Sequence, residues 1–263
     1  MKNKNTPNSD GNHKSSSPAL SKGIKVLELI SSSTEPQSLT SISKNLGIAM
    51  SSTHSICRTL ENEGYIEKRS DSSFELTLKV LKLASSKINQ YDIIEHFYKI
   101  CDDIPLIREN GATVTVLVDA DVYFIACKNS SQPLGIKFTV GTRLPACCVA
   151  SGRALLANLS NDEIKKLYPK EELPQITKAN YKTRSELLDV IEIDRKNGFS
   201  KEKGRISPNM NAYGAVVETI QGKSIAGVSV SMYNRDSTPD IEKKAIESVC
   251  ELAKRLSEYA HIL

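Results

Sequence analysis

The stretch from Leu39 to Leu76, LTSISKNLGIAMSSTHSICRTLENEGYIEKRSDSSFEL, constrains this chain more than any other. Thr40 is placed to cap a short helix carrying Ile42 and Leu46, and Gly47 to end it. A second helix is predicted over Met50 to Asn62, with Thr53, Ile56, Cys57 and Leu60 facing inward and Glu63-Gly64 closing it. Tyr65-Ile66 and Phe74-Leu76 then read as a hairpin around Ser70 to Ser73. Helix, tight turn, helix and hairpin in this order describe a winged helix-turn-helix, which lays its second helix in the DNA major groove. Ser51, Ser52, His54, Ser55 and Arg58 fall on the outward face of that helix, where they can reach base edges or phosphates. Lys68 and Arg69 sit in the wing, placed for phosphate contact.

The charge distribution agrees with that reading. Residues 1–90 hold 12 Lys/Arg against 8 Asp/Glu, and the rest of the chain holds 23 of each, so the net +4 lies in the segment with the helix-turn-helix. With 263 residues the chain is long enough for two domains. No apolar run has the length of a membrane span, and the polar N-terminus has no signal-peptide core, so a cytoplasmic location is expected. The cysteines Cys57, Cys101, Cys127, Cys147, Cys148 and Cys250 form no CxxC pair and match no zinc spacing, so no metal or other cofactor is expected.

Around the motif, residues 1–18 are polar and read as a disordered tail. Leu20 to Ser31 reads as a helix with Ile24, Val26, Leu27 and Ile30 as its apolar residues. The DNA-binding domain then covers 19–77, a linker helix 78–90 and a second domain 91–263. In that second domain Tyr91 to Arg108 reads as helical with a break near Pro105. Thr113 to Asp119, Val122 to Lys128 and Gly135 to Val140 read as strands. Ala146 to Leu159 and Ser160 to Tyr168 read as helices, the latter opened by a Ser160/Glu163 capping box, and a Thr183/Glu186 box opens a helix that stops at Gly198. Tyr213 to Thr219 and Ser224 to Tyr233 form a hairpin, and Thr238-Pro239 starts a last helix through Tyr259. The fold class is α+β, with a mostly antiparallel sheet.

Three segments resemble the IclR family of bacterial transcriptional regulators: SKGIKVLELI with LTSISKNLGIAMSSTHSICRTLENEGYI, then VGTRLPACCVASGRALLA, then AYGAVVETIQGKSIAGVSVS. Together they frame residues 20–263, and the middle segment looks most like the branch controlling aromatic-acid catabolism, the protocatechuate and β-ketoadipate regulators. The resemblance implies a winged helix-turn-helix head, a linker helix and a GAF-like effector-binding domain. It implies a homodimer or tetramer on pseudo-palindromic double-stranded DNA, with a small organic acid as effector and no catalysis. It also places the effector against backbone groups at Ala150 and Ser151, the hydroxyls of Ser229 and Ser231, and the acidic Glu202. The chain departs from the family pattern at Ala49-Met50, where a basic residue and proline are usual, at Ser55, where arginine is common, and in the segment KEKGRISPNMNAYGAVV.

The residues themselves support part of this. Ser229 and Ser231 alternate with Val228 and Val230, so both hydroxyls project from one sheet face. Arg143 and Arg153 flank a predicted helix start near Ala150, an electropositive setting. The competing reading is a redox sensor or thiol enzyme using Cys147 or Cys148, whose thiol acidity a helix start would raise.

Overall fold

The computed structural model describes residues 16–33, 35–88, 93–131 and 137–260. The chain divides into two compact units at Lys87/Ile88. Residues 1–15 of the expected tail lie outside the described residues, and the expected tail ends early because α1 (Pro18–Ser32) begins at Pro18, a residue suited to the first helical turn.

In the first unit α1 buries Val26 and Ile30, whereas Leu20 and Ile24 are exposed. Helix α2 (Leu39–Leu46) is capped by Ser38, which accepts the Ser41 N–H, and not by Thr40. Gly47 follows in the left-handed region at φ 62, the conformation that ends the helix and turns the chain into α3 (Met50–Asn62). Strands β2 (Ile66–Lys68) and β3 (Ser73–Leu76) form the wing, and a short β1 (Gln37–Ser38) pairs with the other edge of β3. Val26, Ile30, Ile42, Cys57, Ile66 and Phe74 make one core that fixes α3 against the other elements. Helix α4 (Lys79–Ile88) follows, with Leu78, Leu81 and Leu83 exposed.

In the second unit α5 (Ile93–Asp103) and α6 (Pro105–Asn110) divide the expected Tyr91–Arg108 helix at Ile104. A six-stranded antiparallel sheet follows, ordered β6-β5-β4-β9-β8-β7. Its strands are β4 (Gly111–Val118), β5 (Asp121–Asn129), β6 (Arg143–Pro145), β7 (Ser200–Lys203), β8 (Met210–Glu218) and β9 (Ser224–Tyr233). The expected strand over 135–140 is corrected: residues 137–140 are not a strand, residues 135 and 136 lie outside the described residues, and Arg143–Pro145 is the segment that pairs with β5.

The expected helix over Ala146–Leu159 is also corrected. A 3₁₀ turn (Ala146–Cys148) precedes α7 (Ala150–Ala157), because Val149 is extended at ψ 137. Helix α8 (Asn161–Leu167) has the full Ser160/Glu163 capping box. At α9 (Arg184–Asn197) only half of the second box forms: Thr183 accepts the Glu186 N–H, but the Glu186 carboxylate accepts from Lys182 N instead. Helix α10 (Pro239–Ser257) closes the unit. No helix among the described residues is long and apolar enough to cross a membrane.

The sheet separates two cores. Tyr213, Ala215, Val217, Val228, Val230 and Met232 face α10, α5 and α6. The other face lies under α7, with α8 and α9 beyond it. A bulge between Val114 and Thr115 in the β4–β5 pairing lets Phe124 face the α7 side while Ala126 faces α10.

Candidate functional site

Among the described residues, two places stand out for polar groups that packing does not require. The first is the outer face of α3. Ser51, His54, Ser55 and Arg58 are exposed and Ser52 is half-buried, while Thr53 and Cys57 point into the core. The approach to α3 is tied by two hydrogen bonds. Ser43 O accepts the Ile48 N–H at 3.1 Å, and the Ser43 hydroxyl donates to Ile48 O at 2.7 Å. In the wing Lys68 and Arg69 are both exposed, and Arg69 is held by Glu75 at 2.7 Å, whereas Lys68 is in no ion pair among the described residues. Asp71 shapes the tip by accepting the Ser73 N–H at 3.0 Å, with Ser72 at φ 66. The arrangement presents one helix, with Lys68 and Arg69 of the wing beside acidic Glu67 and Glu75, to a partner.

The second place is the sheet face beneath α7. The pairing register lines up Ser200, Gly214, Ser229 and Thr113 across four strands, and Glu202, Ala212 and Ser231 in the adjacent row. All five residues singled out from sequence, Ala150, Ser151, Glu202, Ser229 and Ser231, are buried on this side. Glycines let the helix come this close. A Cβ on Gly214 would lie 2.4 Å from the Ala150 carbonyl carbon, and one on Gly227 would lie 2.6 Å from Ser151 O. Most of the hydroxyls are already partnered: Thr113 with Ser229 at 2.8 Å, Thr115 with Ser151 at 2.9 Å, and Ser200 with Ala150 O at 2.5 Å. Neither flanking arginine faces an open anion site. Arg143 pairs with Asp121 at the surface, and Arg153 is buried in a two-point pair with Asp194, at 3.0 and 3.1 Å.

Comparison with known proteins gives this geometry its context. The model of the family described as "Bacterial transcriptional regulator IclR C-terminal" matches residues 85–258, and that of the "IclR helix-turn-helix domain" matches residues 19–70. The chain belongs to the IclR family. It is a DNA-binding transcriptional regulator of that family. The transcriptional repressor IclR of Escherichia coli K12 is 22% identical over 218 residues, 81% of this chain and 79% of that protein. The IclR transcriptional regulator from Alicyclobacillus acidocaldarius has the same fold, with a TM-score of 0.78 at 20% identity over 93% of this chain and 99% of that one. An IclR homologue from Microbacterium hydrocarbonoxydans, solved with 4-hydroxybenzoate, superposes with a TM-score of 0.74 at 17% identity over 91% and 99% of the two chains.

Within this IclR-type domain, Glu202 is the most perturbed acid of the polar face. Burial pushes its carboxyl up to about 7, against the lowering pull of the Arg205 and Ile206 backbone N–H groups and of the Arg153 and Arg205 charges. Cys148 lies close enough for the Glu202 charge to raise its thiol, after the larger effects of its contact with Cys147 and of burial. The two sulfurs are 3.8 Å apart and both side chains are buried. The Cys147 thiol is lowered by its hydrogen bond with Cys148, with burial opposing.

Sequence reasoning missed several members of this cluster: Thr113, Thr115, Ser200, Tyr181 and Arg205. Thr113 and Thr115 alternate with Val114 and Val116 as the serines do with valines, so that signal was available; the other three come from segments with no periodic pattern. A cavity of about 1310 Å³ opens between residues 175–182 and 203–211, lined by Ile176, Thr177, Lys178, Lys182, Gly204 and Ile206 among others. Thr177 donates to Gly204 O at 2.8 Å and Asn180 to Arg205 O at 3.1 Å, so these two segments are tied together along that cavity.

Proposed function

We propose that the protein regulates transcription by binding a pseudo-palindromic operator as a homodimer or tetramer in the cytoplasm, and that a small organic acid bound beneath α7 modulates that binding. The carrying observation is the polar sheet face, where buried hydroxyls and a carboxylate stand where the opposite face has aliphatic side chains. Ala150, Ser151, Glu202, Ser229 and Ser231 are the effector residues in this reading. The 4-hydroxybenzoate held by the Microbacterium homologue supports an aromatic acid, in keeping with the protocatechuate and β-ketoadipate branch. The exposed Leu20 and Ile24 of α1, one helical turn apart, support pairing with a second copy.

On DNA, Ser51, Ser52, His54, Ser55 and Arg58 enter the major groove and Lys68 and Arg69 meet the backbone, with Lys68 the freer of the two. Arg58→Ala and Lys68→Ala each lower the salt slope of operator binding by about one unit if each neutralises one phosphate. Ser52→Ala and His54→Ala alter base preference instead. The operator is found by sequencing genomic fragments retained by the purified protein. Unchanged affinity and base preference in all four variants would remove α3 and the wing from the interface. The effector half is tested by thermal shift and operator release with hydroxybenzoates, short-chain keto acids and dicarboxylates. A stabilising acid that leaves operator binding unchanged would sink it.

A further inference from the structure

Among the described residues, two buried side-chain atoms have no hydrogen-bond partner: Glu202 Oε2 and Arg205 Nε. Buried polar atoms are nearly always paired, so each of these calls for a physical account. They sit on residues three apart, with opposite charges, and do not satisfy each other. Glu202 uses Oε1 to accept the N–H groups of Arg205 at 2.8 Å and Ile206 at 3.1 Å. The Arg205 guanidinium lies over the Tyr181 ring, with Cζ 4.0 Å from the ring centre. The neighbours are committed elsewhere. Arg153 is taken up by Asp194, Tyr181 and Lys201 O, and both Asp194 oxygens are on Arg153. The hydroxyls of Ser151, Ser200 and Ser229 are paired, and Ser231 enters none of those pairs.

One orphan atom is an acceptor in need of a donor, and the other is a donor in need of an acceptor. We infer that Glu202 and Arg205 are a matched pair for a hydroxy acid, with Arg205 Nε–H donating to the ligand carboxylate and the ligand hydroxyl donating to Glu202 Oε2. The inference rests on the effector reading of this face, to which it adds Arg205 and a second functional group on the ligand. An acid without a hydroxyl answers only Arg205. Once the Glu202 carboxyl is ionised, above about pH 7, a keto acid sets a carbonyl oxygen against the Glu202 oxygen, two acceptors with no proton between them. A charge-assisted bond at each end suits this pair better than either alone. A single water, accepting from Arg205 and donating to Glu202, is the competing occupant.

The test is calorimetric titration of the full-length protein at pH 8, where ionised Glu202 acts only as an acceptor, with 4-hydroxybenzoate against benzoate and lactate against pyruvate. In at least one pair the hydroxy acid binds about tenfold or more tightly than its partner, because a buried group built to accept a hydroxyl is left unpaired by the analogue. Arg205→Gln weakens that hydroxy acid by about tenfold or more. Glu202→Gln keeps an oxygen for the two backbone N–H groups but replaces the free acceptor with an NH₂ donor, which a carbonyl oxygen answers as well as a hydroxyl does, so any wild-type preference for lactate over pyruvate disappears. Equal binding within both pairs, or a hydroxy acid indifferent to Arg205→Gln, overturns the inference and leaves water as the occupant. The effector reading survives that outcome if any of the acids still releases operator DNA. Failure of all four acids to bind protein that retains its operator overturns the inference, and the effector reading falls with it once the dicarboxylates also leave the protein's melting unchanged.

Discussion

The two faces of the six-stranded sheet come from the same strands and differ by one residue of register. Val228, Val230 and Met232 of β9 enter the core under α10, while Gly227, Ser229 and Ser231 of the same strand lie under α7. On the α10 side, burial of apolar groups is the main explanation. On the α7 side, hydroxyls, a carboxylate and a buried ion pair occupy positions that valine would fill at less risk. In the function proposed above, the first face is built for stability, and the second gives up some stability to keep groups able to recognise a ligand.

The comparison is most sharply tested where the polar face holds a full charge pair. Arg153→Met leaves Asp194 buried without its partner and is expected to cost about 3–5 kcal/mol in denaturant unfolding, with Asp194→Leu in the same chain restoring most of the loss. If the single variant is neutral, the pair is not buried as described. Leu252→Ala under α10 is expected to cost about 2–5 kcal/mol and to leave ligand response unaltered, since this side chain belongs wholly to the aliphatic core. A changed ligand preference at matched stability would break the division between the faces.

Glu202 supplies a pH test. Its carboxyl stands at about 7 in the folded chain against an ordinary 4.5, so the native state holds the proton more tightly between those values. The associated stability is complete below pH 4.5 and is lost as pH rises through about 7. Between pH 4 and pH 8, wild type therefore loses about 3 kcal/mol relative to Glu202→Gln, read from paired unfolding curves. Parallel pH profiles would mean that Glu202 is hydrated. The smallest effect is expected at the Thr113–Ser229 pair. Thr113→Val alone costs roughly 1–2 kcal/mol by orphaning the serine, and adding Ser229→Ala brings the total back toward zero, a coupling that a double-mutant cycle measures.

Much of the first unit was legible because its signals are local. The Gly47 turn, the inward Thr53 and Cys57 of α3 and the wing strands follow from neighbours a few residues apart. The cap at Ser38 was misplaced by two residues since Thr40 carries an equivalent hydroxyl, and only backbone direction decides which one meets a free N–H. Strands β1 and β7 went unseen because two and four residues carry no readable period; they are strands by virtue of pairing with Phe74 and Ser73, and with Asn211 to Gly214.

Local patterns in the chain are enough to specify the helix-turn-helix, the β8–β9 hairpin and the alternation that sends Ser229 and Ser231 to one side. What those side chains do depends on the folded arrangement. It set α7 into the glycine gaps at Gly214 and Gly227, paired Ser229 with Thr113, sent Arg153 to Asp194, and left Glu202 and Arg205 with unanswered atoms. Periodicity fixes the direction in which a side chain points, whereas hydrogen-bond partners and desolvation depend on groups brought together from far along the chain.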